Sequence, residues 1–129
     1  MASLIMYVDD DSDDLIIFKE LLHDINPAIK YLHAANGKEA LEMLEELVIL
    51  PDYIFLDINM PVMDGQTFLS KLRADRRFRS IPVIVYTTST RPDDKKAFSN
   101  LGANDYIVKP STYVDAKIGI SRVVGNQLQ

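Results

Sequence analysis

Short apolar runs alternate with longer amphipathic stretches along this chain, and this alternation restricts the possible folds more than any other feature. The apolar runs have the length and composition of strands. They are Leu4–Val8, Lys30–Ala35, Tyr53–Leu56, Ile81–Tyr86 and Asp105–Val108. The intervening stretches place apolar residues at helical spacing. Near-continuous apolar strands separated by helices indicate a parallel sheet that is buried on both faces.

The stretches that follow the strands carry helix start and stop signals. Ser12 is the simplest N-cap for the first helix, and Gly102 is expected to stop the fourth. The predicted helices are Asp13–Ile25, one opened by Asn36-Gly37, one that follows Asp64-Gly65, Arg91–Leu101 and roughly Thr112–Leu128. Right-handed crossovers would place these helices on both faces of the sheet. The fold class is therefore α/β, with a doubly wound five-stranded parallel sheet and five helices.

Length and composition narrow the possible functions. With 129 residues the chain has the size of one domain, and we expect residues 1–129 to form it without an output domain. A net charge of -5 disfavours nucleic-acid binding, and the lack of cysteine excludes disulfides, thiolate zinc sites and cysteine nucleophiles. The start shows no signal-peptide pattern, and every apolar run is too short to span a bilayer. We expect a cytoplasmic protein without membrane contact.

Polar residues that can bind metal and phosphate follow four of the predicted strands. Asp9-Asp10-Asp11 follows the first strand, Asp57 the third, Thr87-Thr88 the fourth and Lys109 the fifth. In an open parallel sheet, ligands bind beyond the carboxyl ends of the strands, so these side chains should converge. Clustered carboxylates repel unless a cation lies among them, and oxygen ligands of this kind suit Mg²⁺.

This convergence has a chemical interpretation. A carboxylate can act as a nucleophile toward phosphorus and form an acyl phosphate. Mg²⁺, the Lys109 ammonium and the Thr87 hydroxyl would then neutralise and hydrogen-bond the phosphoryl oxygens in the transition state. The residues alone therefore suggest phosphoryl transfer.

Five segments, in order and spacing, resemble the signatures of response regulator receiver domains from two-component signalling. They are Tyr7–Asp11, Leu56–Pro61, Met63–Gly65, Val85–Thr88 and Tyr106–Pro110. The resemblance covers roughly Leu4 to Val124 and implies a flavodoxin-like sheet of order 2-1-3-4-5. It further implies a phosphorylation switch whose donor is a phosphohistidine of a sensor histidine kinase or phosphotransfer protein. A downstream protein target would read the switch.

The resemblance also implies a role for each site residue. Asp57 would accept the phosphoryl group, and Asp10, Asp57 and the Asn59 carbonyl would bind Mg²⁺. Asp9 would assist through metal-bound water, and Lys109 would contact the phosphoryl group. Two further sets complete the expected site: the switch pair Thr87 and Tyr106, and the dephosphorylation-tuning positions Asn59 and Ser89. The Lys109-Pro110 peptide bond is expected to be cis.

Other interpretations of these residues stay open at this point. Asp13 and Asp14 are sufficiently explained as acids at a helix N-terminus. His23 and His33 are explained by a structural or surface role. The arginines of residues 73–79 are explained as a solvated patch, with a partner-docking patch as the alternative. A flavin-binding protein would need a phosphate-cradling loop where this chain has repelling aspartates. An aspartate phosphatase could use Asp9 and Asp11 but leaves Asp57 unexplained. A phosphorelay intermediate and a non-catalytic pseudo-receiver are the nearest alternatives.

The last helix predicts a partner surface. Val114, Ile118 and Leu128 share one side of a helical projection, and the apolar arc is wider than a core-facing stripe requires. We therefore expect Ile120 and Val123 to lie exposed, with Tyr113, beside Tyr106. This surface would serve target binding or a phosphorylation-dependent homodimer, with Ile16 and Ile17 of the first helix as the alternative.

Overall fold

The computed structural model describes residues 4–60 and 62–125, and in these it contains five strands and five helices. The strands are β1 (Leu4–Val8), β2 (Lys30–Ala34), β3 (Tyr53–Leu56), β4 (Val83–Thr87) and β5 (Asp105–Val108). The helices are α1 (Ser12–Ile25), α2 (Gly37–Glu46), α3 (Gly65–Ala74), α4 (Pro92–Asn100) and α5 (Tyr113–Val124). Residues 126–128 of the predicted last helix lie outside the described residues. No helix within the described ranges combines the length and apolar character that a membrane crossing needs.

The sheet is parallel throughout and has the order β2-β1-β3-β4-β5, which confirms the flavodoxin-like prediction. β1 lies inside the sheet, where Tyr7 is opposite His33 on β2 and Phe55 on β3. β4 begins at Val83, two residues later than predicted, because Pro82 has no amide hydrogen to donate to a neighbouring strand.

Helices cover both faces, and the alternation of side chains along each strand separates two cores. On one face Met6, Ile54 and Val85 pack against α2, α3 and α4. On the other face Ile5, Tyr7 and Tyr86 pack against α1 and α5. An aromatic cluster fills this second core, with the Tyr7 and Phe18 rings stacked at 4.2 Å and inclined by 6°. The three central strands β1, β3 and β4 are therefore buried on both sides, as their apolar sequences predict, whereas the edge strands β2 and β5 are partly exposed.

The first turn of α1 differs from the prediction in its cap. Asp11, rather than Ser12, occupies the N-cap position, and its carboxylate accepts hydrogen bonds from the amides of Asp13 and Asp14. Ser12 is instead the first helical residue. An aspartate is favoured here because its charge also interacts well with the positive end of the helix dipole.

The predicted exposed surface on α5 is confirmed for Tyr113 but wrong for Ile120 and in large part for Val123. Ile120 is fully buried and Val123 is partly buried in the α1-side core, whereas Val114 and Ile118 are 66% and 51% exposed. The cause is the helical period: Ala116, Ile120 and Val124 are four residues apart and line the sheet-facing side. Residues offset by two positions point away from the sheet. Leu128 lies outside the described residues.

Arg73 is a structural residue rather than part of a solvated basic patch. Its guanidinium donates to the carbonyls of Gly102, Arg79 and Ile81 and to the Asn104 side chain. These partners come from the segment before β4 and from the loop between α4 and β5. Arg73 therefore connects the C-terminal end of α3 to two separate stretches of chain, which the planar guanidinium can do and a lysine cannot.

We predict that Arg73→Lys lowers the free energy of unfolding by about 1–3 kcal/mol, because several charged hydrogen bonds to backbone carbonyls are lost. Urea titration followed by circular dichroism measures the change. Arg76→Lys is the matched control, since the Arg76 side chain is exposed and forms no hydrogen bond in the described part of the chain. Equal stability of the two variants would contradict the role given to Arg73.

Candidate functional site

The backbone hydrogen bonds between strands continue one residue past the strand ends and fix the site residues. The Asp9 amide donates to the Ala34 carbonyl, and the Asp57 amide donates to the Val8 carbonyl at 2.9 Å. At the other side of the site, the Lys109 amide donates to the Thr87 carbonyl at 2.7 Å. The predicted convergence of these residues at one edge of the sheet is therefore present, and it results from the backbone.

Asp9, Asp10 and Asp57 form an acidic cluster, in which one carboxylate oxygen of each lies within 4.8 Å of the others. Asp9 is fully buried, Asp57 is partly buried and Asp10 is exposed to solvent. Three converging carboxylates with one open side fit a hard cation that keeps some of its waters, such as Mg²⁺. Asn59 is exposed two residues after Asp57, on the chain segment that leaves the cluster. Asp11, which caps α1, is not part of the cluster.

Both carboxylate oxygens of Asp9 already have hydrogen-bond donors. Oδ1 accepts from the Asp11 amide at 3.0 Å, and Oδ2 accepts from the Tyr7 hydroxyl and the Lys109 ammonium, each at 2.7 Å. Because both oxygens of Asp9 are occupied by donors, an indirect role toward a cation, through water, suits Asp9. Asp10 and Asp57 are therefore the better direct ligands.

The environment of Asp57 disfavours the ionised form of its carboxyl group. Burial, and next the negative charge of Asp9, raise its pKa to about 6, against the partial compensation of Lys109 and the amides of Ile58 and Asn59. A raised pKa means that the ionised form is disfavoured in the folded protein. A cation or any other added positive charge at the cluster would relieve this cost.

Lys109 lies between carboxylates on the α1 side of the site. Its ammonium is 2.7 Å from both Asp9 and Asp14, and its side chain is only 11% exposed. Burial opposes the charge, but hydrogen bonds to Asp14 and Asp9 outweigh it and raise the pKa of Lys109 above its usual value. Lys109 therefore carries a firmly held positive charge. The Lys109-Pro110 bond was expected to be cis, and this prediction is wrong, since the described residues contain no cis peptide bond.

Thr87 and Tyr106 are linked through the backbone of Ser89. The Thr87 hydroxyl accepts from the Ser89 amide at 3.3 Å, and the Tyr106 hydroxyl donates to the Ser89 carbonyl at 3.0 Å. The Ser89 hydroxyl in turn donates to Asp94 on α4 at 2.6 Å. The loop after β4 thus connects the predicted switch hydroxyl to both α4 and β5.

Tyr7, His33 and Asp14 contact the site but were not assigned to it from the sequence. The His33 Nε2 atom lies 2.7 Å from the Asp9 carbonyl oxygen, while the buried Tyr7 hydroxyl binds the Asp9 side chain. A buried tyrosine needs a partner for its hydroxyl, and its position two residues before Asp9 on β1 was the available signal. The contact of Asp14 with Lys109 joins residues 95 positions apart, for which the sequence offered no signal.

Comparison with known proteins agrees with this geometry. The family model described as the response regulator receiver domain matches residues 5–117. The chain belongs to the response regulator receiver domain family. Membership favours the phosphorylation-switch interpretation over flavin binding and over an aspartate phosphatase.

The proteins to which this receiver domain is similar differ in length. The chain is 34% identical over 119 residues to the chemotaxis protein CheY of Pseudomonas aeruginosa, covering 92% of this chain and 94% of that protein. It is 37% identical over 107 residues to the sensor histidine kinase CheAY of Helicobacter pylori, covering 83% of this chain but only 13% of that kinase. The match thus extends both to a short protein and to a small part of a long one.

Solved structures share the same fold. The phosphorylated cyanobacterial phytochrome response regulator RcpA superimposes with a TM-score of 0.86 at 28% identity, covering 95% of this chain and 93% of that one. The Mn²⁺-bound form of response regulator Rcp1 gives a TM-score of 0.84 at 27% identity, covering 95% and 94% of the two chains.

We predict that Asp57→Asn stabilises the metal-free protein at pH 7 by about 1–3 kcal/mol, because it removes a disfavoured charge and keeps an acceptor for the Ile58 amide. The wild-type pKa lies above the ordinary value of 3.8, so protonation favours the folded state. The stability that protonation supplies is lost as the pH rises through about 6. The advantage of the variant should therefore shrink as the pH falls from 7 toward 4.

Thermal or urea unfolding in EDTA at several pH values measures this difference. Asp13→Asn serves as the control, since Asp13 is exposed and lies outside the acidic cluster. A pH-independent difference between wild type and Asp57→Asn would contradict the assignment.

Proposed function

We propose that this protein is a phosphorylation-dependent signalling switch that accepts a phosphoryl group onto Asp57 with the help of Mg²⁺. The observation that supports the proposal best is the convergence of Asp57 with Asp9, Asp10, Thr87 and Lys109 at one sheet edge, in a receiver-domain family member. The protein would take part in its own phosphorylation and dephosphorylation and would turn over no separate substrate.

In the proposed reaction, a carboxylate oxygen of Asp57 attacks the phosphorus of a donor phosphohistidine. The new O–P bond forms as the P–N bond breaks, and the electron pair of that bond leaves on the imidazole nitrogen. When bound, Mg²⁺ would neutralise negative charge on the phosphoryl oxygens. Asp10, Asp57 and the Asn59 carbonyl would hold the ion, and Asp9 would contact it through water.

The protein's own cation and hydroxyl would complete the phosphoryl site. The Lys109 amine stays protonated at neutral pH and supplies a positive charge. Thr87 supplies a buried hydroxyl at the end of β4. Hydrolysis of the acyl phosphate needs water to reach the phosphorus. Asn59 and Ser89 lie on the two loops that leave the site, after β3 and β4, so we assign them the tuning of this access.

The output of the switch would pass through the loop after β4. If the Thr87 side chain rotates toward a phosphoryl group, its contact with the Ser89 amide would be lost. The loop that also bonds Tyr106 and Asp94 would then lose one of its three contacts. The surface around α4, β5 and α5 would then change. A downstream protein target, or a second copy of the chain, would read that change as a shift between two states.

The phosphoryl donor in this proposal is a sensor histidine kinase or phosphotransfer protein. The similarity to a segment of the sensor histidine kinase CheAY of Helicobacter pylori supports this class of partner. We assign the protein to the cytoplasm on the basis of the proposed role, and we assign it no nucleic-acid or membrane contact.

We predict that incubation with Mg²⁺ and phosphoramidate adds one phosphoryl group to the protein, and that Asp57→Asn abolishes this addition. Asp10→Asn should need roughly a tenfold higher Mg²⁺ concentration for its half-maximal rate, because few direct protein ligands remain. Intact-protein mass spectrometry over time measures both effects. Asp13→Asn should behave as wild type.

The labelling experiment also separates the proposal from its alternatives. A wild type that is never phosphorylated by phosphoramidate or by any histidine kinase would identify a pseudo-receiver. Labelling of Asp57→Asn at the wild-type rate would move the acceptor to another residue. Rapid onward transfer to a phosphotransfer protein would identify a relay intermediate instead of a final switch.

We predict that beryllofluoride, which stands in for the phosphoryl group, changes the environment of the Tyr106 ring and that Thr87→Ala prevents the change. NMR of isotope-labelled tyrosine rings, assigned with Tyr106→Phe, measures it. Thr88→Ala is the matched control, because Thr88 is adjacent but exposed. Light scattering on the same samples reports any homodimer. An unchanged Tyr106 signal in the wild type would exclude this coupling.

A further inference from the structure

The Lys109 ammonium is held by two carboxylates, neither of which belongs to the proposed phosphoacceptor. It forms ion pairs of 2.7 Å with Asp9 and with Asp14. In the described part of the chain, no hydrogen bond or ion pair joins Lys109 to Asp57, although the charge of Asp57 contributes to the raised pKa of Lys109. An ammonium has three N–H donors, of which two contact carboxylates here. A phosphoryl group would have to share the positive charge of Lys109 with both of these anions.

The position of Asp14 follows from the way α1 packs. Asp14 and Phe18 are four residues apart and share a face of the helix, and Phe18 is stacked on Tyr7 of β1. The Asp11 cap fixes the turn that contains Asp14. Asp13, one residue earlier, lies about 100° away around the helix and is exposed. The contact with Lys109 is therefore specific to Asp14.

We propose that Asp14 is a positioning residue that competes with the phosphoryl group for Lys109 and thereby slows the phosphorylation of Asp57. The inference rests on the proposed function, since it assumes that Lys109 contacts the incoming group. Asp9 is buried and has two further donors, so it stays in place. Asp14 is 33% exposed and is the partner that Lys109 can release.

The competition predicts a gain of rate when Asp14 is neutralised. With Asp14→Asn, the ammonium keeps Asp9 but loses its second carboxylate, so it is available to the phosphoryl group in the transition state. We expect the maximal labelling rate with phosphoramidate and Mg²⁺ to rise about threefold to fivefold, the size expected for loss of a partly exposed ion pair. The donor concentration at half-maximal rate should change little, because Asp14 acts on Lys109 rather than on the free donor.

Two control variants separate positioning from general charge effects. Asp13→Asn removes the same charge from the same helix turn and should leave the rate unchanged. Asp14→Glu keeps a carboxylate within reach of Lys109 and should restore a rate near that of the wild type. Asp14→Ala, which favours the helix, is measured alongside in case the asparagine variant unfolds.

A second measurement observes Lys109 directly. The rate of acetylation of its amine, followed by peptide mass spectrometry, should rise in Asp14→Asn and stay unchanged in Asp13→Asn. An unchanged Lys109 reactivity, or an equal gain of labelling rate in both variants, overturns the inference. A labelling rate that falls in Asp14→Asn also overturns it, because Asp14 would then assist the reaction.

The outcomes distinguish this inference from the proposed function. If wild type is not labelled, or if Asp57→Asn is labelled as fast, the proposed function fails. If wild type is labelled on Asp57 and Asp14→Asn reacts at the same rate, the function stands and only the role of Asp14 is overturned.

Discussion

The ion pair between Asp9 and Lys109 is the interaction on which the geometry of this site depends. Asp9 has no exposed surface, and Lys109 reaches it from the opposite end of the chain, 100 residues away. Loss of one partner of such a pair typically costs several kcal/mol, because the remaining charge is left buried. The pair therefore joins the chain that follows β1 to the chain that follows β5, across the ends of the two strands that lie between them.

The same ion pair connects the chemistry of the site to the hydrophobic core beneath it. Tyr7 donates its hydroxyl to Asp9 while its ring stacks on Phe18, in the aromatic cluster that also contains Phe55 and Tyr86. Lys109 lies 5.7 Å from the centre of the Tyr86 ring, within reach of a cation–π interaction. The packing of α1 on the sheet and the position of the buried carboxylate are thus determined by shared residues.

Sequence reasoning succeeded where periodicity and topology determine position. Strand ends such as Asp57 and Lys109 could be placed at one edge because parallel strands all point the same way. It failed where the rotation of a helix or the reach of a long side chain determines which residues are in contact. Ile120 faces the sheet instead of solvent, and Arg73 on α3 binds two other segments of the chain. The Asp14 contact belongs to this second class, because it depends on how α1 is rotated relative to β5.

The acidic cluster shows why the site is suited to a reversible change. Asp57 is partly buried beside Asp9, and its raised pKa reflects first the loss of solvation and second the repulsion by Asp9, against which Lys109 compensates only in part. A bound cation would relieve that repulsion, and the proposed phosphoryl transfer would introduce new charge at the same point. Thr87 ends β4 and Lys109 follows β5 at the site, and the Lys109 amide donates to the Thr87 carbonyl. In the proposed switch, a change of charge at Asp57 would therefore act on both β4 and β5. In the proposed switch, the destabilised Asp57 carboxylate would be the source of the response, and the hydrogen bonds at the strand ends would carry it to the neighbouring strands.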